Sequence, residues 1–358
     1  RIIALESVHP ILGGTGMIQF KSAILALVLV FGGVYSANAH HSDVGIDLET
    51  LVTIEGVVTE FNWRNPHVYL LVDVPNEEGG NTEWNIQMGA VSVSRRRGWS
   101  ADYLAPGDQV RIELHARANG DPYGILEELE RHDGEALGIT LSTPDGSAVA
   151  ESIEGRWIAD ASSFPDYPGG YDGLFLALLS LNDRARQAIE EYDPLSADNP
   201  NSTCVGRPTP GALVSTRLYM MEFEIDEDND LIYIRSERDA EERIVYMDGR
   251  EHPSPDQLVN TGHSIGWWED DTLVVETTNF PFHRSPYQLG VPSSTEKRVV
   301  ERYRLNETGT RLHAEFTLWD PVYLTGPMTH ARDLIYDTQT EMILSGCDPD
   351  AAGRFLIQ

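Results

Sequence analysis

Three histidines, His40, His41 and His67, carry the most pointed chemistry in this chain. His40 follows Ala37-Asn38-Ala39, a small-x-small sequence of the kind signal peptidase cuts. Cleavage after Ala39 makes His40 the first residue of the mature protein. Its free amine and ring Nδ1 then form a chelating pair, which suits copper, a nitrogen-seeking ion at the top of the divalent affinity series. A terminal amine with a pKa of about 8 yields its proton readily to a metal. His67 is the expected third nitrogen. It follows Asn65-Pro66, where proline holds the backbone before it extended at a strand entrance. His41 is an alternative outer ligand. The competing reading makes the two N-terminal histidines a tail that binds nothing specific, and His67 a half-buried barrel residue.

A second constellation is Thr261-Gly262-His263-Ser264-Ile265-Gly266-Trp267-Trp268-Glu269. His263 titrates close enough to neutral pH to serve as an acid or base, and Ser264 is a candidate nucleophile. No strained elbow surrounds that serine, so a strand entry with core tryptophans is the alternative. A third set comprises Glu276, Glu301, Arg302, Asp320 and His330. Residues two apart on a strand share a face, so Glu301 goes with Tyr303 and opposite to Arg302. Such groups in a barrel lumen would bind or turn over a small polar ligand; outward-facing, they are surface charge. Arg95-Arg96-Arg97, three bases in an acidic chain, either dock two domains, bind an anion or form a solvated helix face.

Composition narrows the classes. With 26 Lys+Arg against 57 Asp+Glu the formal charge is −31, which disfavours nucleic acid and anionic lipid surfaces. There is no Walker loop, GxGxxG, GxSxG, HExxH or Cys/His zinc pattern. A leader is expected over 17–39: Lys21 supplies the basic start and the apolar run from Ala23 to Val34 is too short to span a bilayer, which needs roughly 20 residues. Residues 1–16 read as an upstream artefact. Export to the periplasm or the extracellular space follows, without stable membrane insertion after cleavage. The two cysteines, Cys204 and Cys347, then suggest one disulfide, with a pair of buried thiols as the rival.

The elements that must position these groups are mostly strands. Residues 40–137 read as three strands, a short helix and two strands, the order of an OB-like small barrel. Residues 138–212 read as a linker with one amphipathic helix at about 173–192, where Leu174, Leu178, Leu181, Ala185 and Ile189 recur at helical spacing. Residues 213–358 read as an antiparallel, lipocalin-like barrel of about nine strands, starting with 214–225 and ending with 341–345.

Several motifs resemble known proteins. His40-His41-Ser42, Gly56-Val57-Val58, Trp63 with Asn65-Pro66-His67, Arg97-Gly98-Trp99 and Pro106-Gly107-Asp108 resemble a family of exported bacterial proteins of unknown function that begin His-His-Ser after the leader. The second half is similar to the C-terminal region of related exported proteins: Asp193-Pro194, Gly206-Arg207-Pro208, Tyr246-Met247-Asp248-Gly249-Arg250, Gly262-His263-Ser264-Ile265-Gly266 and Asp320-Pro321 carry the likeness. Two departures stand out: Trp267 where Arg or Lys is usual, and Gly326-Pro327-Met328 where a proline–tryptophan pair is common. The resemblance implies an architecture and no established activity. Three functions remain open on sequence: a binding protein for copper and a small ligand, an enzyme centred on His263 with Glu301, Arg302 or Asp320, and an envelope interaction module. Oligomeric state is open too.

Overall fold

The computed structural model describes residues 45–356, apart from 142 and 169. It contains two closed barrels. The first is built from β1 (Val52–Asn62), β2 (Tyr69–Pro75), β3 (Asn81–Gln87), β4 (Gln109–Ala116) and β5 (Tyr123–Arg131), in the order β3-β2-β1-β4-β5, closed by a β3–β5 pairing. Alternation dictates the faces: Ile54 and Val58 are buried while Thr53 and Glu55 are exposed. Gly56 permits the close crossing of β1 over β2, since a Cβ there would lie 2.5 Å from the Asp73 carbonyl oxygen. The helix α1 (Val91–Arg96) sits between β3 and β4 and packs Val91, with Trp99 beyond it, against Leu70, Ile86, Ile112 and Leu114. This is the expected OB-like arrangement.

The second barrel closes β7 (Gly155–Ala159), β8 (Met221–Asp226), β9 (Leu231–Ser236), β10 (Glu241–Tyr246), β11 (His263–Glu269), β12 (Thr272–Thr278), β13 (Arg298–Leu305), β14 (Arg311–Trp319) and β15 (Met328–Tyr336); a short β6 (Ala136–Gly138) extends the first sheet. Every neighbour pair is antiparallel except β10–β11. Parity requires an exception: an odd number of strands cannot alternate up and down around a closed ring. The five-stranded barrel solves the same problem with its parallel β3–β5 pair. The purely up-and-down reading of the second barrel is therefore corrected at one joint. Gly266 makes that joint possible, because a Cβ would sit 2.6 Å from Met247 Sδ and 2.7 Å from Val245 Cγ1. Trp157, Phe223, Tyr303, Phe316 and Leu318 fill the interior, each buried to within 1%. Burial of such side chains stabilises by about 1.5–3 kcal/mol apiece.

Three boundaries differ from the sequence reading. The ninth strand is β7, from the expected linker, and not 341–345. With the ring closed by β7, no edge is left for 341–345, which runs as an extended tail. The expected helix at 173–192 is two helices, α2 (Gly170–Leu178) and α3 (Asp183–Glu190). Between them Ser180 O accepts from Thr325 N and Leu181 bridges Leu324, so the chain is captured by the barrel. Asn182 then caps α3, accepting from Ala185 N at 3.0 Å. Finally, 211–215 is the helix α4 (Gly211–Ser215), not a strand, and begins directly after Pro210.

The barrels are fastened to each other. Cys204 and Cys347 form a disulfide. Beside it the tail lies on the first barrel: Asp348 N donates to Asn65 O, Asn65 Nδ2 to Ser345 O, and Arg117 Nη2 to Phe355 O. Arg96 of α1 forms a buried ion pair with Glu237 at 2.6 Å and also donates to Leu218 O. Of the basic triplet, Arg96 is thus the docking residue, Arg95 is solvated, and Arg97 faces the space between the barrels. Among the described residues no helix is long and apolar enough to cross a membrane.

Candidate ligand-binding cavity

That space is a cavity of about 500 Å³. The first barrel contributes His67, Gln87, Met88, Ala90, Val93 and Arg97; the other side brings α2, α4 and the mouth of the second barrel, with Phe164, Tyr167, Tyr171, Tyr219, Arg207, Arg217, Arg238 and Arg332. Five of the chain's 26 basic residues line it, against one, Glu127, of its 57 acidic residues. This inverts the charge balance of the molecule.

Each arginine is held by its own element. Arg207 follows Cys204 and Gly206, and its backbone N donates to Asp239 Oδ2 at 3.1 Å. Its guanidinium lies 3.9 Å from the centre of the Tyr171 ring. Arg238 is in the turn between β9 and β10, within 3.3 Å of both Asp239 Oδ1 and the Tyr219 hydroxyl. Arg332 points inward from β15; its Nε and Nη2 donate to His330 Nε2, and its Nη1 caps the carbonyl of Val214 at the end of α4. Arg97 closes α1. Among the described residues, Arg97, Arg207 and Arg332 have no carboxylate within ion-pair distance, and the Nε atoms of Arg97 and Arg207 are buried without a hydrogen-bond partner. Burial pulls the pKa of Arg97 and Arg207 down, and that of Arg332 down to about 9. The opposing charges act from beyond ion-pair distance, Asp239 and Asp172 on Arg207 and Glu127 on Arg97, while Arg332 meets the like charge of Arg217; a guanidinium enclosed without a direct counter-charge costs several kcal/mol. The cavity wall is therefore cationic.

His67 opens into this cavity, with Nδ1 3.1 Å from Met88 O. Burial, then the field of Arg238, pulls its pKa down to about 4. The same field opposes a metal cation at His67. His40 and His41, the other members of the expected copper set, lie outside the described residues. Among the described residues there is no group of three His, Cys, Asp or Glu that could hold a metal ion.

The four candidate catalytic residues do not converge. Glu301 is inside the second barrel, accepting from Arg243 Nη1 at 2.6 Å and the Tyr303 hydroxyl at 2.8 Å, while Arg243 also reaches Ser264 and Thr277. Asp320 is buried near the end of β14, where its carboxylate accepts from Ser294 N and Oγ, each at 2.7 Å. Lys297 lies between their fields, 4.3 Å from the Phe280 ring centre, and burial pulls its pKa down to about 7. Arg302 is on the outer face, paired with Glu269 at 2.6 Å. His263 is also on the outer face, stacked on Tyr246, with its Nδ1 2.9 Å from His252 Nδ1. Glu276 backs that pair, 3.4 Å from His252 Nε2. The lumen is filled by packed side chains, and the cavity of about 500 Å³ lies between the barrels.

Of the cavity arginines the sequence singles out Arg97, in the basic triplet, as a candidate anion ligand; Arg207, Arg217, Arg238 and Arg332 escape it because no local motif joins them. One signal was present: His330 and Arg332, two apart on a strand, share a face.

Residues 28–127 match the model of a family of unknown function (DUF6152). The match ends within β5, so it takes in nearly all of the first barrel and leaves the nine-stranded one outside it. It agrees with the resemblance of the first half to an uncharacterised family. None of the curated proteins matches this chain.

Proposed function

We propose that this protein is an exported binding protein for a small organic molecule, held in the cavity between its two barrels. The observation that carries the reading is the set of enclosed arginines, Arg97, Arg207 and Arg332, without carboxylate partners in a molecule of net charge −31. Two further features support it. The volume of about 500 Å³ falls within the roughly 300–1,000 Å³ of small-molecule sites. The walls come from both barrels, which are fixed by the Cys204–Cys347 disulfide and the Arg96–Glu237 pair, so the cavity is preformed. The disulfide belongs to an oxidising compartment, and with the leader expected over 17–39 it supports export.

Native mass spectrometry of the protein isolated under non-denaturing conditions tests the reading. A small-molecule adduct is expected on the wild type and absent from Leu218→Trp, which places an indole at the cavity rim where Leu218 is 40% exposed. An adduct of equal occupancy on both proteins would contradict it.

A further inference from the structure

We infer that the ligand is an organic anion with a flat aromatic body, a carboxylate or sulfonate head held at Arg207 and Arg332 and its ring against tyrosines; this rests on the cavity being the binding site. The head group follows from charge. Arg207 is buried to 5% exposure, its Nε has no partner, and the aromatic face beneath it satisfies no N–H in its plane. Guanidinium is planar and forked, and it matches carboxylate, sulfonate or phosphate oxygens through parallel N–H donors. Arg332 spends donors on His330, Val214 and Thr216, which fix its orientation but leave its charge uncompensated.

The body follows from the remaining wall. Tyr167, Tyr171 and Tyr219 line the cavity beside Met88, Ala90 and Val93. Tyr171 is held in place by a tilted contact with Phe175, ring centres 4.9 Å apart, and by the Arg207 guanidinium 3.9 Å from its ring centre. Aromatic rings pack on such surfaces in offset or edge-on geometry, and methionine adapts to their edges. A compact inorganic anion would satisfy the guanidinium and leave this apolar wall wetted. A neutral hydrocarbon would fill the wall and leave the arginines bare. An aromatic anion does both.

Two fluorescent probes with the same ring system separate the terms: 8-anilinonaphthalene-1-sulfonate, and N-phenyl-1-naphthylamine, which lacks the sulfonate. The wild type is expected to bind the sulfonate dye at one site, with at least about tenfold higher affinity than the neutral dye. Arg207→Met, which keeps the side-chain stem and removes the charge, is expected to lose about tenfold or more for the sulfonate while holding or improving its affinity for the neutral dye. Retained binding of the neutral dye shows that the variant is folded. Equal affinities of both dyes for wild type and Arg207→Met would overturn the anionic class. If Leu218→Trp then still excluded both dyes, the cavity would stand as the binding site; if it excluded neither, that reading would fail as well. Absence of sulfonate binding to the wild type at millimolar dye would also overturn the inference.

Discussion

The Nε2 atom of His330 accepts from both Nε and Nη2 of Arg332, at 3.1 and 2.8 Å. The bond fixes the imidazole as neutral, and burial followed by the Arg332 charge pulls its pKa down to about 3. His330 is a positioning residue: it turns the guanidinium toward α4 and the cavity without offering it a counter-charge. Replacing it with leucine removes the acceptor at similar volume. His330→Leu is expected to weaken binding of 8-anilinonaphthalene-1-sulfonate by about tenfold, the worth of one hydrogen bond to a charged group. Its effect on the neutral dye should be small. Fluorescence titration checks both, and equal losses for the two dyes would mean that the histidine acts through packing alone.

Arg96 and Glu237 tie the barrels through a pair with side chains 7% and 0% exposed. Glu237 also accepts from Met220 N and Ile343 N. Removing one member of such a pair strands the other charge and two amides. Glu237→Ala should cost about 3–5 kcal/mol in denaturant unfolding. Arg96→Met, which leaves the carboxylate its two amide donors, should cost less.

The Cys204–Cys347 disulfide spans 143 residues. In the chain-entropy account a loop of that length contributes about 5 kcal/mol at most, and native disulfides typically about 2–5. Cys204→Ser should lower stability within that range. It should also raise amide exchange in 345–356, the segment that clasps the first barrel.

Glu241 faces the interior of the second barrel with Oε1 unpartnered, and burial pushes its pKa up to about 8. A carboxyl with a raised folded pKa binds its proton more tightly when folded. Its stability contribution is full below the unfolded value of about 4.5 and is lost as pH rises toward 8. Lys297 has the opposite sign: its folded pKa of about 7 lies below the unfolded 10.5, so stability is regained as pH climbs from 7 to 10.5. Glu241→Gln is therefore expected to change the melting temperature little at pH 5 and to raise it at pH 8. A thermal melt series across that range reads the difference, with each pKa unit worth about 1.4 kcal/mol.

The strand order of the first barrel was legible because the alternation of Ile54 and Val58 with polar neighbours, the Pro106-Gly107-Asp108 turn and the 91–98 helix are all local signals. The pairing of Cys204 with Cys347 was legible from cysteine count. The helix break at Ser180-Leu181 was not, since it is imposed by Leu324 and Thr325, far along the chain. The same limit hid the cavity between the barrels. Alternation showed that Glu301 and Arg302 face opposite ways, but not that Glu301 would be consumed by Arg243 and Tyr303. Nor could spacing show that Arg97, Arg207, Arg238 and Arg332, from four separate elements, meet around one space. The copper set stands on His40 and His41, beyond the described residues, and its described member His67 sits in a field set by arginines.

The cavity between the barrels is tested most directly by a crystal structure with 8-anilinonaphthalene-1-sulfonate bound. The sulfonate is expected in contact with the Arg207 guanidinium, with the rings against Tyr171 or Tyr219. Dye ordered only on the outer surface, or within the lumen of the nine-stranded barrel, with the arginine cavity holding solvent alone, would contradict it.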